Sequence, residues 1–261
     1  MSATRPKKTL SLSDFADFLA ALATEGVEVI VIGGCAVGAY ANLIGESVFS
    51  GDLDVLVSRA AIESALDAAT KAGAVIHKRP RPRSVPVAVL EWRGMEVNLL
   101  MAGAALAPAE VEAQLAREFH LPGLRGAPVL VVDPFQLLRD KVACGRPKDR
   151  PHIKILHRFL EEEAVHAFET ETEPRRRLAA PRRYLDVLGQ ATLPGSLARR
   201  LIPIAKTGTD LRFLAHRAPS ALRADVGARA QDLGLTSELS TASAGGRRRT
   251  DRRKAPTARR R

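Results

Sequence analysis

Cysteine is scarce. Cys35 and Cys144 are the only two in 261 residues, too few for a disulfide framework or a cysteine-built zinc centre, and they suit a reducing compartment. Aromatic residues make up only 4% of the chain, with Trp92 the single tryptophan. This argues against a surface built on many stacked bases, as in strand-platform RNA binders. Long apolar runs are also missing. The longest, residues 29–41, is broken by glycine and shorter than a membrane span requires. Asp14 and Asp17 interrupt what would have to be the apolar core of a signal peptide behind Lys7 and Lys8. The expectation is a cytoplasmic protein with no membrane partner.

Hydrophobic residues, at 46%, are numerous enough to bury a core, and wholesale disorder is excluded. The net charge is +11, and it is unevenly placed. Residues 1–172 hold 19 Lys and Arg against 22 Asp and Glu, residues 173–238 hold 12 against 6, and residues 239–261 hold 9 against 1. The surplus is therefore C-terminal. These shifts suggest three segments: a catalytic-type domain over 1–172, a helical basic appendage over 173–238, and a disordered Arg-rich tail over 239–261. The tail reads either as an arm for RNA or another polyanion or as a solvated, solubilising extension.

Apolar spacing at Phe15, Phe18, Leu19 and Leu22 predicts a first helix. Val27–Ile32 reads as a buried strand, Cys35–Asn42 as a helix after the Gly33-Gly34 break, and Leu53–Val57 as a second strand. A helix over Ala60–Ala72 follows, then strands over Val75–His77, Val85–Trp92 and Met95–Leu100, the last two joined at Arg93-Gly94. Pro108–Phe119 reads as helical, Pro128–Val132 as a strand, and Pro134–Cys144 as a helix with proline at its first position. His152–Val165 is helical, with further helices near 178–190, 194–206 and 219–233. This order predicts an α+β fold, a mixed sheet flanked by helices, with a C-terminal helical region.

Chemistry concentrates in two stretches, Val29 to Gly34 and Ser50 to Val55. Residues i and i+2 of a strand share a face, so Asp52 and Asp54 can aim both carboxylates at one point while Leu53 and Val55 enter the core. Paired carboxylates repel unless a cation lies between them. Mg²⁺ suits the pair, as a hard cation that completes its shell with water and phosphate oxygens. Gly33-Gly34 ahead of a helix lets backbone N–H groups approach an anion. A phosphate cradle facing a metal site is what metal-assisted nucleotidyl transfer needs. Lys141, with Arg146 and Lys148, offers point charge for phosphate or else compensates a helix end. Asp149 reads most simply as a helix cap, although its spacing from Lys141 also fits a recurring Lys-to-Asp motif. Cys35 reads as a small buried residue, Trp92 as core, and His152, His157 and His166 as surface or boundary residues.

The stretches Gly33-Gly34-Cys35-Ala36, Ser50-Gly51-Asp52-Leu53-Asp54, Gly94 to Leu100, and Asp133 to Leu138 followed by Lys141 and Arg146 to Asp149 form a pattern over about residues 15–165. It resembles the nucleotidyltransferase-like members of the DNA polymerase β superfamily, in particular bacterial small nucleotidyltransferases and abortive-infection toxin-type proteins. The resemblance implies that Gly34 and Ser50 touch the triphosphate of an NTP, which Gly33 in the glycine turn and the Lys141 charge are expected to help hold. It implies that Asp52 and Asp54 bind Mg²⁺ and that a third carboxylate helps activate the acceptor. Related sequences often carry Asp where Asn98 stands here; Glu96, on the same strand face, either replaces it or is an exposed strand residue. The implied activity is transfer of NMP from an NTP to a hydroxyl of RNA, such as a tRNA end, or of a protein, in a possible toxin–antitoxin setting with a protein partner. The alternative is a nucleotide- or partner-binding module of the same fold with weakened chemistry.

Overall fold

The computed structural model describes residues 9–80, 87–101, 116–120, 128–237 and 239. The chain divides into two compact units, residues 1–162 and 163–261. In the first, α1 (Ala16–Thr24) buries Phe18, Leu19 and Leu22 as the spacing predicts. Then follow β1 (Ile30–Ile32), α2 (Gly33–Leu43), β2 (Asp52–Val57), α3 (Ile62–Lys71), β3 (Val75–Lys78), β4 (Val87–Trp92) and β5 (Met95–Met101). β6 (Ala116–Phe119), β7 (Val129–Val132), α4 (Pro134–Cys144) and α5 (Arg150–Thr170) complete it, α5 running on into the second unit.

The described strands form one mixed seven-stranded sheet in the order β3-β4-β5-β2-β1-β7-β6. β2 lies between β5, to which it is parallel, and β1, to which it is antiparallel. Its alternation does what the sequence pattern predicts: Leu53 and Val55 are fully buried, whereas Asp52 and Asp54 are half-buried on the other face. Each such buried aliphatic side chain contributes about 1.5–3 kcal/mol. Pairing of Ile32 with Asp54 sets the end of β1, and so the turn into α2, beside the carboxylates. Arg93 and Gly94, with φ of 50° and 73°, form the two-residue β4–β5 turn. Trp92 is core: it stacks on Phe18 at 5.5 Å, and its indole N–H donates to the Ala72 carbonyl at 3.0 Å.

Two expectations are corrected here. The helix expected to run to Phe119 gives way at its end to β6, which pairs antiparallel with β7 from Ala116 to Phe119; positions 108–115 of that helix lie outside the described residues. Four helix-tolerant residues become a strand because a free sheet edge supplies partners that local propensity does not count. β1 is also shorter than expected, spanning only Ile30–Ile32.

The second unit is helical. After α5 come α6 (Pro174–Arg177), α7 (Ala179–Leu188), α8 (Gly195–Ile204), α9 (Gly208–Arg217) and α10 (Arg223–Asp232). Helices α7, α8 and α10 lie where helices were expected, and α9 is additional. Positions 240–261 of the tail lie outside the described residues. No described helix is long and apolar enough to cross a membrane.

Candidate active site

β2 and β5 carry the candidate site residues. Their parallel register sets Glu96 opposite Asp52 and Asn98 opposite Asp54, so four polar side chains share one sheet face. The Asn98 Nδ2 amide donates to Asp54 Oδ1 at 3.1 Å, to Asp52 Oδ2 at 3.3 Å and to Glu96 Oε1 at 3.3 Å. One amide thus gathers three carboxylates. Glu96 is exposed and meets the aspartate pair through this amide. Burial, and then the charge of Asp52, push the Asp54 carboxyl above its ordinary range, while Asn98, Lys141 and Lys148 pull it down. A half-buried like-charged pair of this kind favours a cation beside it.

The donors fit a divalent cation of the hard type. Asp52 and Asp54 offer carboxylate oxygens, toward which Asn98 turns its amide N–H groups rather than its oxygen, and among the described residues no three His, Cys, Asp or Glu side chains are grouped so as to hold a metal by themselves. An ion here would take two protein carboxylates and complete its shell with water and phosphate oxygens, which is how Mg²⁺ is commonly held.

Above the pair lies the glycine turn. Gly33 adopts φ of +71°, open to glycine at little cost, and a Cβ there would stand 2.3 Å from Asp54 Oδ2. A Cβ on Gly34 would stand 2.4 Å from Ser50 Oγ, and one on Gly38, a turn later, 2.8 Å from the Val48 carbonyl. The glycines therefore let the chain before β2 lie directly on α2. Ser50 is pinned by a two-way backbone bridge to Leu10 at 2.8 Å, and its hydroxyl donates to Asp52 Oδ1 at 3.1 Å. Gly34→Ala is expected to cost about 1–3 kcal/mol through this overpacking. Urea unfolding of the intact chain checks it, and an unchanged midpoint would mean that the seam has slack.

Lys141 is placed differently from a free phosphate ligand. It is 5% exposed, and its Nζ donates to Asp149 Oδ1 at 3.2 Å. Arg146 Nε donates to the other oxygen of Asp149 at 2.6 Å. Burial would raise the Asp149 carboxyl, but these two cations overcome it and hold it below its ordinary value. Asp149 thus anchors two cations across the Gly145 helix end. His152 packs beside it at 3.7 Å, lowered in pKa by burial and by Lys141. Lys148 stays exposed, and its charge still reaches Asp54. Cys35 is buried, with its thiol pushed up to about 12 by burial and by Asp54 and Asp52, and it donates to the Asp52 carbonyl at 3.3 Å. A group so hard to ionise is packing, not a nucleophile.

The structure places Gly33, Gly34, Ser50, Asp52 and Asp54 together, links Glu96 to the pair through Asn98, and holds Lys141 in an ion pair with Asp149. It adds Asn98 as the bridge among the carboxylates and Asp149 as the anchor of Lys141. In the sequence Asn98 stands out only as a replaced carboxylate, and its amide bridge has no signal there; the Asp149 pairing crosses a helix break and has no sequence periodicity to reveal it.

No protein-family model matches this chain, and no curated protein matches it. Among solved structures, the crystal structure of ANT(2")-Ia in complex with adenylyl-2"-tobramycin is similar over 66% of this chain and 97% of its own, at 17% identity and a TM-score of 0.43. The solution structure of the antibiotic-resistance factor ANT(2'')-Ia is similar over 66% of this chain and 92% of its own, at 17% identity and a TM-score of 0.40. An antigenic nucleotidyltransferase-like protein from Paracoccidioides brasiliensis is similar over 80% of this chain and 94% of its own, at 14% identity and a TM-score of 0.33.

Proposed function

We propose that this protein is a divalent-metal-dependent nucleotidyltransferase that moves NMP from an NTP to a hydroxyl group. The observation that carries the reading is the Asp52 and Asp54 pair lying against the Gly33-Gly34 entrance to α2, with no room for a Cβ between them. Mg²⁺ held by the two aspartates would neutralise phosphate charge and polarise the α-phosphate. Ile32, the residue before α2, makes no side-chain cap, so the first-turn N–H groups of the helix are suited to the triphosphate. Ser50 holds Asp52 in place with the one hydroxyl proton that it would turn toward phosphate when the triphosphate binds. Asn98 fixes the spacing of the carboxylates, and Glu96 is the remaining carboxylate positioned to take the acceptor proton. Lys141 acts from its ion pair as a fixed positive charge, with Lys148 at the surface.

The acceptor in this reading is an RNA hydroxyl, such as a tRNA end, because the positive surplus lies in the segments after residue 172. A protein hydroxyl is the competing outcome. The reading extends to one half of a toxin–antitoxin pair, for which induced expression of wild type but not of an Asp54→Asn variant would arrest growth. The deciding experiment is incubation of the whole chain with each α-labelled NTP, Mg²⁺, total RNA and a protein extract. Label is expected in RNA and is expected to vanish when EDTA removes the metal. No label with any NTP would overturn the reading. A second reading rests on Asn98 standing at the register of Asp54, where a carboxylate would serve a base: the module then binds NTP without turnover. Calorimetric NTP binding with no product over long incubation would favour it.

A further inference from the structure

A cavity of about 740 Å³ lies in the helical unit, lined wholly by residues between Arg182 and Arg217. Its walls follow from helix periodicity. Thr209, Arg212, Phe213 and His216 occur at i, i+3, i+4 and i+7 of α9 and so share a face, while Arg182 and Asp186 lie one turn apart on α7. With Arg217, the lining carries three guanidinium groups against the single Asp186 carboxylate.

These groups are positioned. The Arg182 guanidinium lies over the Phe213 ring, 5.9 Å from its centroid. Arg212 Nη2 donates to Thr209 Oγ1 at 3.2 Å, and Arg217 Nη1 donates to the Ala191 carbonyl at 3.1 Å. His216 and Arg217 occupy the last turn of α9, where the helix carbonyls absorb part of any positive charge. Arg182 and Arg212 lie away from that end. Guanidinium is the side-chain group best matched to phosphate, through paired N–H donors. The volume falls within the range of about 300–1,000 Å³ usual for ligand sites.

We infer that this cavity binds a phosphate-bearing ligand, with Arg182 and Arg212 as its principal phosphate contacts. The ligand chemistry could come from an RNA backbone or from a free oligophosphate. The inference concerns binding alone and is tested without NTP or Mg²⁺, so its failure is separable from failure of the transferase reading.

The test is fluorescence anisotropy of a labelled single-stranded RNA oligomer with the full chain in EDTA. Arg182→Gln/Arg212→Gln is compared with Arg175→Gln/Arg223→Gln, which removes equal charge from exposed arginines outside the cavity. The cavity pair is expected to weaken binding at least tenfold and to reduce the salt slope by about 1.4, the value for two single-strand phosphates. The control pair is expected to change binding less than about twofold. Arg182→Glu, at an exposed position, repeats the test with least risk to folding, and far-ultraviolet circular dichroism checks each variant. Displacement of RNA by tripolyphosphate assigns a free oligophosphate as the ligand; resistance to it assigns the RNA backbone; either supports the cavity. Equal loss in the two pairs, no loss in either, or no binding of either the RNA or tripolyphosphate by the wild type overturns it.

Discussion

An Asp54→Asn variant should lose NMP transfer and yet melt no lower than the wild type. The two halves of this result have one cause. Asp54 is set by the fold: its Oδ2 faces Gly33 where no Cβ fits, and its Oδ1 accepts from Asn98 at 3.1 Å. Asparagine has the same shape and fits the same space. What it removes is a charge that the folded protein holds at a cost, because burial and the neighbouring Asp52 both disfavour the ionised carboxyl. The sign follows directly. A carboxyl raised above its unfolded value contributes stability below the ordinary carboxylate range, and that contribution is lost as pH rises through its folded value. At neutral pH the wild type therefore carries a penalty that the variant lacks. For the proposed reaction the same charge is indispensable. Its removal should slow transfer by about a thousandfold, or about 4 kcal/mol of transition-state stabilisation. Thermal melts in EDTA at neutral pH, set beside label incorporation from NTP, read both halves. A variant that transfers NMP at the wild-type rate would remove Asp54 from the chemistry, and one that melts well below wild type would refute the account of its charge.

The trade of stability for charge was visible in the amino-acid sequence only in part. Period-two alternation over Asp52 to Val55 was enough to place two carboxylates on one face and two aliphatic residues in the core, because alternation is a property of any strand. The diglycine break was enough to place a turn there. That the turn overlies the aspartates depends on the pairing of Ile32 with Asp54, and sheet order is a tertiary choice that local residues do not encode. The role of Asn98 is illegible for a related reason. As a letter it marks a missing carboxylate; in the fold its amide is the hydrogen-bond donor that holds three carboxylates together.

The helical unit shows the opposite balance. No helix is expected from the sequence pattern between residues 206 and 219, where Gly208 and Thr209 are poor helix formers, although Thr207 and Asp210 carry the spacing of a capping box. Asp210 accepts from the backbone N–H of Thr207 at 3.0 Å, as that motif requires. Attention to the cap would have recovered the helix. It would not have shown where Arg177 goes, thirty-three residues earlier.

Arg177 supplies the second large expected effect. It is 1% exposed and Asp210 is 0% exposed, and Nε of the arginine donates to Asp210 Oδ1 at 3.0 Å. Nη1 donates to the Glu171 carbonyl at 3.0 Å, while Asp210 Oδ2 accepts from the backbone N–H groups of Lys206 and Thr207. One ion pair thus ties the end of α5, the short α6 and the cap of α9. Removing one partner leaves a buried charge uncompensated, so Arg177→Met should destabilise the unit by about 3–5 kcal/mol. Removing both charges should hurt less. In Arg177→Met/Asp210→Asn the amide oxygen still caps α9, the methionine occupies much of the arginine's space, and Nη2, buried with no hydrogen-bond partner among the described residues, disappears. The double variant should recover at least about half of the loss, a coupling of about 1.5 kcal/mol or more. Urea unfolding followed by far-ultraviolet circular dichroism measures the wild type, Arg177→Met, Asp210→Asn and the double variant. Strictly additive losses would show that the two charges act independently, and a single-variant loss below about 1 kcal/mol, within the range of an exposed pair, would show that the pair is not buried in solution.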